Sequence, residues 1–319
     1  MLDNDTQTDQ NDALPILTSI PHSTKGHPSL ENLRGILYMI LAMAGFAIED
    51  LLIKLLSAFM PASQILIYIG IFAGILFFAI AKISGTPVFT KDIFRNRTVI
   101  IRTVSDMFGA VFIVMAISLV PLSTVSSILQ ATPLLVTLGA ALMFKESIGW
   151  RRWSAVFVGF FGVVLILKPG MNGFQAPSLL ALLGVIFLAM RDLVTRKVKD
   201  DIPSLTVSIY AFSAAAVGGI FAIPFNGPFI VLTTQQWIMI LIATLVGCFS
   251  YLTLVLATRA GDISAIAPFR YTRLIFALLL SVLVLNERPD FLTLTGATII
   301  IASGCYTFWR ENLRKSLQQ

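Results

Sequence analysis

Long apolar stretches alternate with short polar breaks along most of the chain. Apolar runs bounded by charge, glycine or proline predict helices over residues 35–57, 61–82, 98–119, 122–143, 150–168, 177–198, 203–224, 235–258, 263–285 and 290–309. An α-helix needs about 20 apolar residues to cross a bilayer, whereas the strands of a membrane barrel are shorter and alternate in polarity. The pattern therefore predicts an all-α membrane protein with ten transmembrane helices.

Basic residues are concentrated in every second loop. The loops after the second, fourth, sixth and eighth predicted helices contain Lys82, Lys91, Arg95, Arg97, Lys145, Arg151, Arg152, Lys197, Lys199 and Arg259. The other loops are poor in Lys and Arg, with Lys168 and Arg288 as the main exceptions. Since cytoplasmic loops are enriched in Lys and Arg, we expect a multi-pass protein of the cell inner membrane with both termini in the cytoplasm.

Composition agrees with a membrane protein and excludes some other classes. The chain is 56% hydrophobic and 13% charged, and its net charge of +6 is spread over alternate loops rather than along one stripe, which excludes a nucleic-acid partner. Residues 1–33 are polar and lack the apolar core of a secretory signal, so they are predicted to form a disordered cytoplasmic tail, with 311–319 as a second tail. Cys248 and Cys305 lie inside apolar runs, so we expect free thiols.

An internal repeat divides the chain into residues 34–169 and 177–310. The segment around Glu49, Asp50 and Lys54 in the first predicted helix aligns with Arg191, Asp192 and Arg196 in the sixth. At nearly the same offset, Ala116, Ser123 and Glu146 align with Ala257, Ser264 and Glu287. Because each half contains five predicted helices, an odd number, the second half enters the membrane from the opposite side, which predicts an inverted repeat.

Several motifs carry a family resemblance. They are Lys145-Glu146-Ser147 followed by Gly149-Trp150-Arg151-Arg152-Trp153, Gly159-Phe160-Phe161-Gly162, Lys168-Pro169-Gly170, Ala267-Pro268-Phe269-Arg270-Tyr271 and Asn286-Glu287-Arg288-Pro289-Asp290. With these motifs the chain resembles the EamA family of the drug/metabolite transporter (DMT) superfamily over roughly residues 34–310, and the branch it resembles includes S-adenosylmethionine uptake carriers and is similar to riboflavin-type carriers.

The resemblance implies two inverted five-helix EamA repeats around a midplane cavity, formed chiefly by the first, third, fourth, sixth, eighth and ninth helices. It also implies a secondary active transporter that moves a small organic metabolite by alternating access. The cargo stays open among amino-acid-like compounds, nucleoside or S-adenosylmethionine-like compounds, and vitamins such as riboflavin, because look-alike members differ in substrate.

Two acids inside predicted helices are candidate gate residues. Charged side chains in a bilayer usually face a protein interior or a cavity. Asp50 lies toward the predicted outside and Asp192 toward the predicted inside, so each acid could belong to a charge network that closes one face of the cavity. Alternatively, Asp50 with Lys54 and Asp192 with Arg196 are i,i+4 pairs that neutralise one another.

The ninth predicted helix supplies the main candidates for substrate contact. Arg270, Tyr271 and Arg273 follow Pro268 near the bilayer centre, where a guanidinium suits a carboxylate or phosphate and a tyrosine ring can stack. The two arginines favour a substrate with an anionic or zwitterionic part, unless they pair with Asp106 or Asp192. Gln130, in the fourth helix, is a further candidate for a polar contact or for an interhelical hydrogen bond.

Other charged residues are expected to support this site. The supporting network contains Glu49, Lys54, Arg102, Asp106, Arg191 and Arg196. Arg102 and Asp106 are spaced for an i,i+4 pair, and we expect Arg102 to extend toward water. Glu146 and Glu287 lie at helix ends, where they are expected to act as interfacial caps.

The remaining functional classes are less well supported. There is no Gly-rich Lys-Ser/Thr phosphate loop of an ATP-driven pump, and His22 and His27, the only two histidines, lie in the predicted tail. We therefore expect no cofactor, no metal site and no enzyme activity. A membrane receptor without transport or an intramembrane enzyme stays an alternative. The expected partners are a small-molecule substrate and the lipid bilayer, with protons or a counter-substrate as candidates for coupling and a homodimer left open.

Overall fold

The computed structural model describes residues 28–88, 96–144, 149–171, 173–197, 202–260 and 263–316, and the regular secondary structure within these ranges is helical. The helices are α1 (Pro28–Leu56), α2 (Ala62–Ile83), α3 (Arg97–Leu119), α4 (Leu122–Leu129), α5 (Thr132–Phe144), α6 (Trp150–Leu167), α7 (Ser178–Thr195), α8 (Ser204–Asn226), α9 (Thr234–Ala260), α10 (Ile263–Ile266), a 3₁₀ segment (Ala267–Tyr271), α11 (Thr272–Leu283) and α12 (Phe291–Ser316).

Nine stretches of the described residues are long and apolar enough to cross a membrane. They match nine of the ten predicted helices and confirm a multi-pass all-α membrane protein. The exception is the predicted helix 263–285, which is divided into α10, the 3₁₀ segment and α11. Pro268 lies in the first turn of the 3₁₀ segment, where its missing N–H and fixed φ interrupt the regular α-helical ladder. The fourth predicted helix is also interrupted, at Gln130 and Ala131 between α4 and α5.

Both predicted tails are shorter than expected. α1 begins at Pro28, so residues 28–33 are helical rather than part of a disordered tail. A proline in the first turn and Glu31 one turn later are helix-start signals that the hydrophobic pattern did not register. α12 continues to Ser316, beyond the predicted boundary at 310. Residues 1–27 and 317–319, together with the loop residues Lys91, Arg95, Lys145, Glu146 and Lys199, lie outside the described residues.

The helices of the first half pack mainly on helices of the second half. α1 contacts α9 and α11, α2 contacts α8, α3 contacts α7, and α6 contacts α12. The two interrupted segments also meet, since α4 packs against α11. A continuous apolar core containing Leu56, Ile117 and Ile128 lies between them. The bundle therefore encloses the two helix interruptions.

Close helix approach depends on glycine at one crossing in particular. A Cβ added at Gly162 of α6 would lie 2.7 Å from the carbonyl oxygen of Gly296 of α12, and a Cβ at Gly296 would lie 2.5 Å from the carbonyl oxygen of Gly162. Small residues permit such backbone contact between membrane helices, where no hydrophobic effect drives association. The α6–α12 crossing therefore requires glycine on both sides.

The outer surface of the bundle is apolar. Large side chains such as Leu142, Phe157 and Phe221 are more than 60% exposed. Several hydroxyl groups inside the spans are satisfied within their own helix, as when the Thr244 and Ser250 hydroxyls donate to backbone carbonyls of the preceding turn. An apolar exterior around helices with satisfied backbone groups is what a bilayer requires.

Candidate functional site

Arg273 of α11 binds Asp50 of α1 through two of its nitrogens. Nη2 lies 2.7 Å from Oδ2 and 2.9 Å from Oδ1, and Nε lies 3.1 Å from Oδ2. The guanidinium also lies over the ring of Phe46, 5.2 Å from its centroid. Asp50 is only 4% exposed. A fork-shaped donor on a buried carboxylate gives a strong and directional contact, so this pair joins α1 to α11 inside the span region.

The predicted i,i+4 pair of Asp50 with Lys54 is wrong. The Lys54 ammonium turns to the end of α3 and donates to the carbonyl oxygens of Ile117 and Val120, both at 2.8 Å. These carbonyls belong to the last turn of a helix, where they have no intrahelical partner and attract a cation. Asp50 is left for an arginine of another helix, a contact that spacing along one helix cannot reveal.

A second group of charges joins α3, α7 and the 3₁₀ segment. We call Arg102, Asp106, Arg191, Asp192 and Arg270 the five-residue cluster. Arg191 bridges the two acids, with Nη1 3.0 Å from Asp106 Oδ1 and Nη2 2.9 Å from Asp192 Oδ1. The predicted pair of Arg102 with Asp106 is confirmed at 3.7 Å.

Arg102 does not extend to water as predicted. It is 5% exposed, and its Nε donates to the Thr195 hydroxyl of α7 at 3.0 Å. Its side chain is enclosed because α3 and α7 pack closely along their length. The sequence places Arg102 near a helix end, where a chain can reach the interface, but does not show that α7 covers it.

Arg270 is the most accessible cation of the five-residue cluster. Its Nη2 lies 3.8 Å from Asp192 Oδ2, a longer approach than that of Arg191, and its side chain is 38% exposed. This contact confirms the predicted alternative that one of the two arginines pairs with Asp192. The cluster contains three guanidinium groups and two carboxylates, so it carries one excess positive charge when all five are ionised. Such an excess favours the approach of an anion.

The broken ninth segment holds the two arginines in position. Arg270 is near the end of the 3₁₀ segment and Arg273 is in the first turn of α11. Residues three apart lie on the same side of either type of helix. Arg270 contacts Asp192 of α7, and Arg273 contacts Asp50 of α1. The broken segment therefore connects two acids that the sequence assigns to opposite faces of the membrane. Whether Asp50 and Asp192 act as gates stays a prediction.

Tyr271 and Gln130 are both buried, at 4% and 5% exposure. The Tyr271 hydroxyl has no hydrogen-bond partner among the described residues and packs on Gly304 of α12, where an added Cβ would lie 1.7 Å from the oxygen. The Gln130 amide makes a 3.4 Å contact with the Ser126 carbonyl of its own helix. The role of Tyr271 and Gln130 in substrate contact stays a prediction.

Besides Lys54, which binds carbonyls of α3, two members of the predicted supporting network lie in other surroundings. The Glu49 carboxylate packs against Gly247 of α9. Arg196 is exposed at the C-terminal end of α7. Arg191, by contrast, is more central than expected, since it connects Asp106 with Asp192.

The end of the bundle that is predicted to face outward has its own polar contacts. Glu287 accepts from the backbone N–H groups of Leu122 and Ser123 at 2.7 and 3.0 Å, which confirms its predicted role as a cap and joins the α11–α12 loop to the start of α4. A cavity of about 540 Å³ opens here, with Lys54 and Glu287 on its wall. It lies at the helix ends, and neither Arg270 nor Arg273 lines it.

Sequence reasoning missed an ion pair at this same end. Lys168, after α6, donates to Asp290, before α12. Burial acts to raise the pKa of Asp290, but hydrogen bonds from Lys168 and Thr293 outweigh it and hold the pKa below its usual value. Both residues stood in motifs that carried the family resemblance, yet their separation of 122 positions gave no sign of a contact.

The described residues contain no group of three or more His, Cys, Asp or Glu side chains that could hold a metal ion. Asp50, Asp106 and Asp192 are instead paired with arginines. Guanidinium groups exposed between helices bind carboxylate or phosphate oxygens. The arrangement can therefore bind an anionic group and exchange one ion pair for another, and such an exchange could accompany a movement of helices.

Comparison with known proteins gives related transporters. A S-adenosylmethionine uptake transporter of Rickettsia prowazekii (strain Madrid E) is 26% identical over 289 residues, covering 88% of this chain and 94% of the relative. A pseudopaline exporter, CntI, of Pseudomonas aeruginosa is 25% identical over 278 residues, covering 84% and 94%. A riboflavin transporter of Rhizobium johnstonii is 25% identical over 292 residues, covering 88% and 93%.

A solved structure and a family model extend the comparison. A crystal structure superposes with a TM-score of 0.60 over 91% of this chain and 99% of the other, at 18% identity, which supports the fold alone. The model of the EamA-like transporter family matches residues 33–168 and again residues 176–309. Because these two matches cover most of the polypeptide, and nine apolar helices accompany them, the chain belongs to the EamA-like transporter family.

Proposed function

We propose that this protein is a secondary active transporter that carries a small organic metabolite with an anionic group across the inner membrane by alternating access. Family membership and the relatives support a membrane transporter of small metabolites. The observation that carries the anionic preference is the loose pairing of Arg270. Its side chain is 38% exposed and its guanidinium lies 3.8 Å from Asp192, a longer distance than the 2.9 Å of Arg191. The cluster around it has one excess positive charge when all five residues are ionised. A substrate carboxylate or phosphate would complete the electrostatic balance there.

Alternating access would use the connections of the broken ninth segment. An anion bound at Arg270 weakens the attraction of that arginine for Asp192, while Arg273 keeps α11 attached to α1. The segment would then be free to move relative to α7. The direction of net transport is set by gradients rather than by this contact alone, and a proton or a counter-substrate is a candidate for coupling.

An inverted arrangement of two halves, which the sequence predicts, would serve this mechanism. The family model matches twice, and the predicted repeats 34–169 and 177–310 fall within a few residues of those matches. If α1 corresponds to α7 and α3 to α9, the α1–α9 contact and the α3–α7 contact are related by the same pseudo-two-fold axis. Transporters with inverted repeats use such an axis to exchange inward-open and outward-open states.

The orientation can be tested by accessibility. Thr86, after α2, and Met171, after α6, are in loops predicted to lie inside and outside the cell, respectively. In intact cells, a membrane-impermeant thiol reagent should label Met171→Cys and leave Thr86→Cys unlabelled until the cells are opened. The opposite pattern would reverse the proposed topology.

Ligand-dependent melting tests the substrate site. Protein purified in detergent is melted with a panel of organic acids, amino acids, nucleotides, riboflavin and S-adenosylmethionine, because a ligand that binds the folded state raises its stability. We expect a saturable shift with an anionic or zwitterionic compound, and loss of that shift in Arg270→Gln. Arg151→Gln, which changes an exposed arginine beside Trp150, is the matched control and should keep the shift. A shift that survives in Arg270→Gln would contradict the proposed site.

A further inference from the structure

The cavity at the end of the bundle has the size and the composition of a ligand site. Its volume of about 540 Å³ lies within the range of about 300–1,000 Å³ that small-molecule sites occupy. Such sites are mostly apolar, with a few polar groups that orient the ligand. Leu119, Val120 and Leu285 contribute to the apolar part of this wall, whereas Lys54 and Glu287 supply one charge of each sign. The cavity therefore suits a ligand with two opposite charges and an apolar group.

The turn between α3 and α4 fixes the positions of both charged groups. The Lys54 ammonium donates to two carbonyl groups at the end of α3. The Glu287 carboxylate accepts from two backbone N–H groups at the start of α4 and from the Ser123 hydroxyl. Since one short turn binds both side chains, their separation is set before a ligand arrives. Groups that are held in position in this way bind a ligand at a lower cost in free energy.

Each charged group keeps hydrogen-bonding capacity for a ligand. Within the described residues, the carbonyls of α3 take two of the three N–H donors of the Lys54 ammonium. In the same part of the chain, Oε1 of Glu287 accepts one bond, from the Leu122 N–H, whereas a carboxylate oxygen can accept two. Both side chains are partly exposed on the wall of the cavity. A ligand carboxylate would therefore be complementary to Lys54, and a ligand ammonium to Glu287.

We propose that this cavity is a second binding site, for a compound that carries a carboxylate, an ammonium and an apolar group. Lys54 binds the carboxylate, Glu287 binds the ammonium, and the apolar wall receives the remainder. The site is separate from the one proposed above, because neither Arg270 nor Arg273 lines the cavity. The inference goes beyond the proposed function, since binding here requires neither Arg270 nor transport.

Protection of an introduced thiol tests the site in purified protein. Gln175, an exposed residue of the cavity wall, is changed to cysteine in a background in which Cys248 and Cys305, the only two cysteines, are replaced by alanine. We expect leucine, or the larger zwitterion S-adenosylmethionine, to slow the reaction of Gln175→Cys with a thiol reagent in a saturable way. Thr86→Cys, after α2 at the other end of the bundle, is the matched control and should react equally fast with and without the zwitterion.

Analogues with a single charge test whether both polar groups take part. Isocaproate has the apolar group and the carboxylate of leucine but lacks the ammonium, and isoamylamine lacks the carboxylate. Each should slow the labelling of Gln175→Cys much less than leucine does at the same concentration. Protection by isocaproate as strong as that by leucine would exclude the proposed contact with Glu287, and equal protection by isoamylamine would exclude the contact with Lys54.

The charge of the thiol reagent tests the two polar groups without any ligand. The ratio of the labelling rates of Gln175→Cys with an anionic and with a cationic methanethiosulfonate reagent measures the local charge. Lys54→Gln should lower this ratio about fivefold, and Glu287→Gln should raise it by a similar factor. General unfolding would change the ratio in the same direction in both variants, so shifts in the same direction would contradict the assigned roles.

The outcomes separate this inference from the proposed function. Equal labelling of Gln175→Cys with and without both zwitterions overturns the cavity site, even if a melting shift that depends on Arg270 supports the proposed function. Protection that disappears in Arg270→Gln also overturns it, because the ligand then acts from the central site. If protection and the melting shift both persist in Arg270→Gln, the cavity site stands and the proposed central site is contradicted.

Discussion

The two interrupted spans of this protein, the fourth and the ninth along the chain, differ in the charge of the side chains at the interruption. Between α4 and α5 the chain breaks at Gln130 and Ala131, and the polar group there makes a contact within its own helix. Between α10 and α11 the break carries Arg270 and Arg273, which reach acids on two other helices. The first interruption is neutral and the second is charged.

This difference shows what each interruption contributes. A break in the hydrogen-bond ladder supplies a bending point whatever its side chains are. Charges at a break additionally tie the bending point to its neighbours, because a guanidinium inside a bilayer needs a counter-ion. We therefore expect changes at the second interruption to affect transport and stability strongly and changes at the first to affect them weakly.

The largest effect is expected from Asp50→Asn. The substitution leaves the Arg273 guanidinium without its partner, and breaking one side of a buried ion pair costs about 3–5 kcal/mol. We expect a clearly lower melting temperature in detergent and loss of transport in proteoliposomes. The double variant Asp50→Asn with Arg273→Gln removes both charges and should regain much of the melting temperature without regaining transport. If the double variant melts no higher than Asp50→Asn alone, the two residues do not stabilise the fold through this pair.

The next effect separates the two prolines that accompany the interruptions. Pro268→Ala restores a backbone donor in the 3₁₀ segment and favours a continuous helix, which would move Arg270 and Arg273 relative to Asp192 and Asp50. We expect uptake to fall about tenfold, a loss of about 1.4 kcal/mol in the transition state. Pro133→Ala, at the start of α5, is the matched control and should lower uptake less than twofold. Equal losses in both variants would mean that bending, rather than the position of the arginines, limits transport.

Much of the fold could be predicted from the sequence because length and polarity determine a membrane helix almost alone. Nine apolar runs are long and apolar enough to span a membrane, although the fourth is interrupted at Gln130 and Ala131. The remaining run, 263–285, contains Pro268, whose effect on the backbone depends on its surroundings. The helix ends were less predictable. Pro28 and Glu31 extend α1 into residues that composition alone assigns to a tail.

The candidate site was predictable as a set of residues but not as a set of contacts. Charged residues in apolar runs are few, so Asp50, Asp192, Arg270 and Arg273 could be selected directly. Their partners depend on which helices are neighbours, and that is decided by packing between halves rather than by spacing within one helix. Arg191 was aligned with Glu49 in the repeat, yet it bridges Asp106 and Asp192, whereas Glu49 has no such partner.

A smaller effect distinguishes the two buried polar side chains of the interruptions. Tyr271→Phe removes a hydroxyl that has no hydrogen-bond partner among the described residues, so the melting temperature of the unliganded protein should stay the same. If the hydroxyl contacts substrate, the apparent KM for uptake rises a few-fold, which corresponds to about 1 kcal/mol for one hydrogen bond. Gln130→Leu should raise the apparent KM by less than Tyr271→Phe does. A larger rise of KM in Gln130→Leu than in Tyr271→Phe would move the substrate contact to the first interruption.

The smallest effect concerns the loop that connects the second interruption with α12. Asp290 is paired with Lys168, and its pKa is lower in the folded protein than its usual value. A carboxyl group with a depressed folded-state pKa stabilises the protein above its unfolded pKa, and the contribution disappears as the pH falls through the folded value. Wild-type protein should therefore melt slightly higher than Asp290→Asn at neutral pH, and the two curves should converge in acid. Lys168→Gln should reduce the difference at neutral pH, since the charge that holds the pKa down is gone. A difference between wild type and Asp290→Asn that persists unchanged into strong acid would mean that Asp290 acts through the shape of the turn before α12 rather than through its charge.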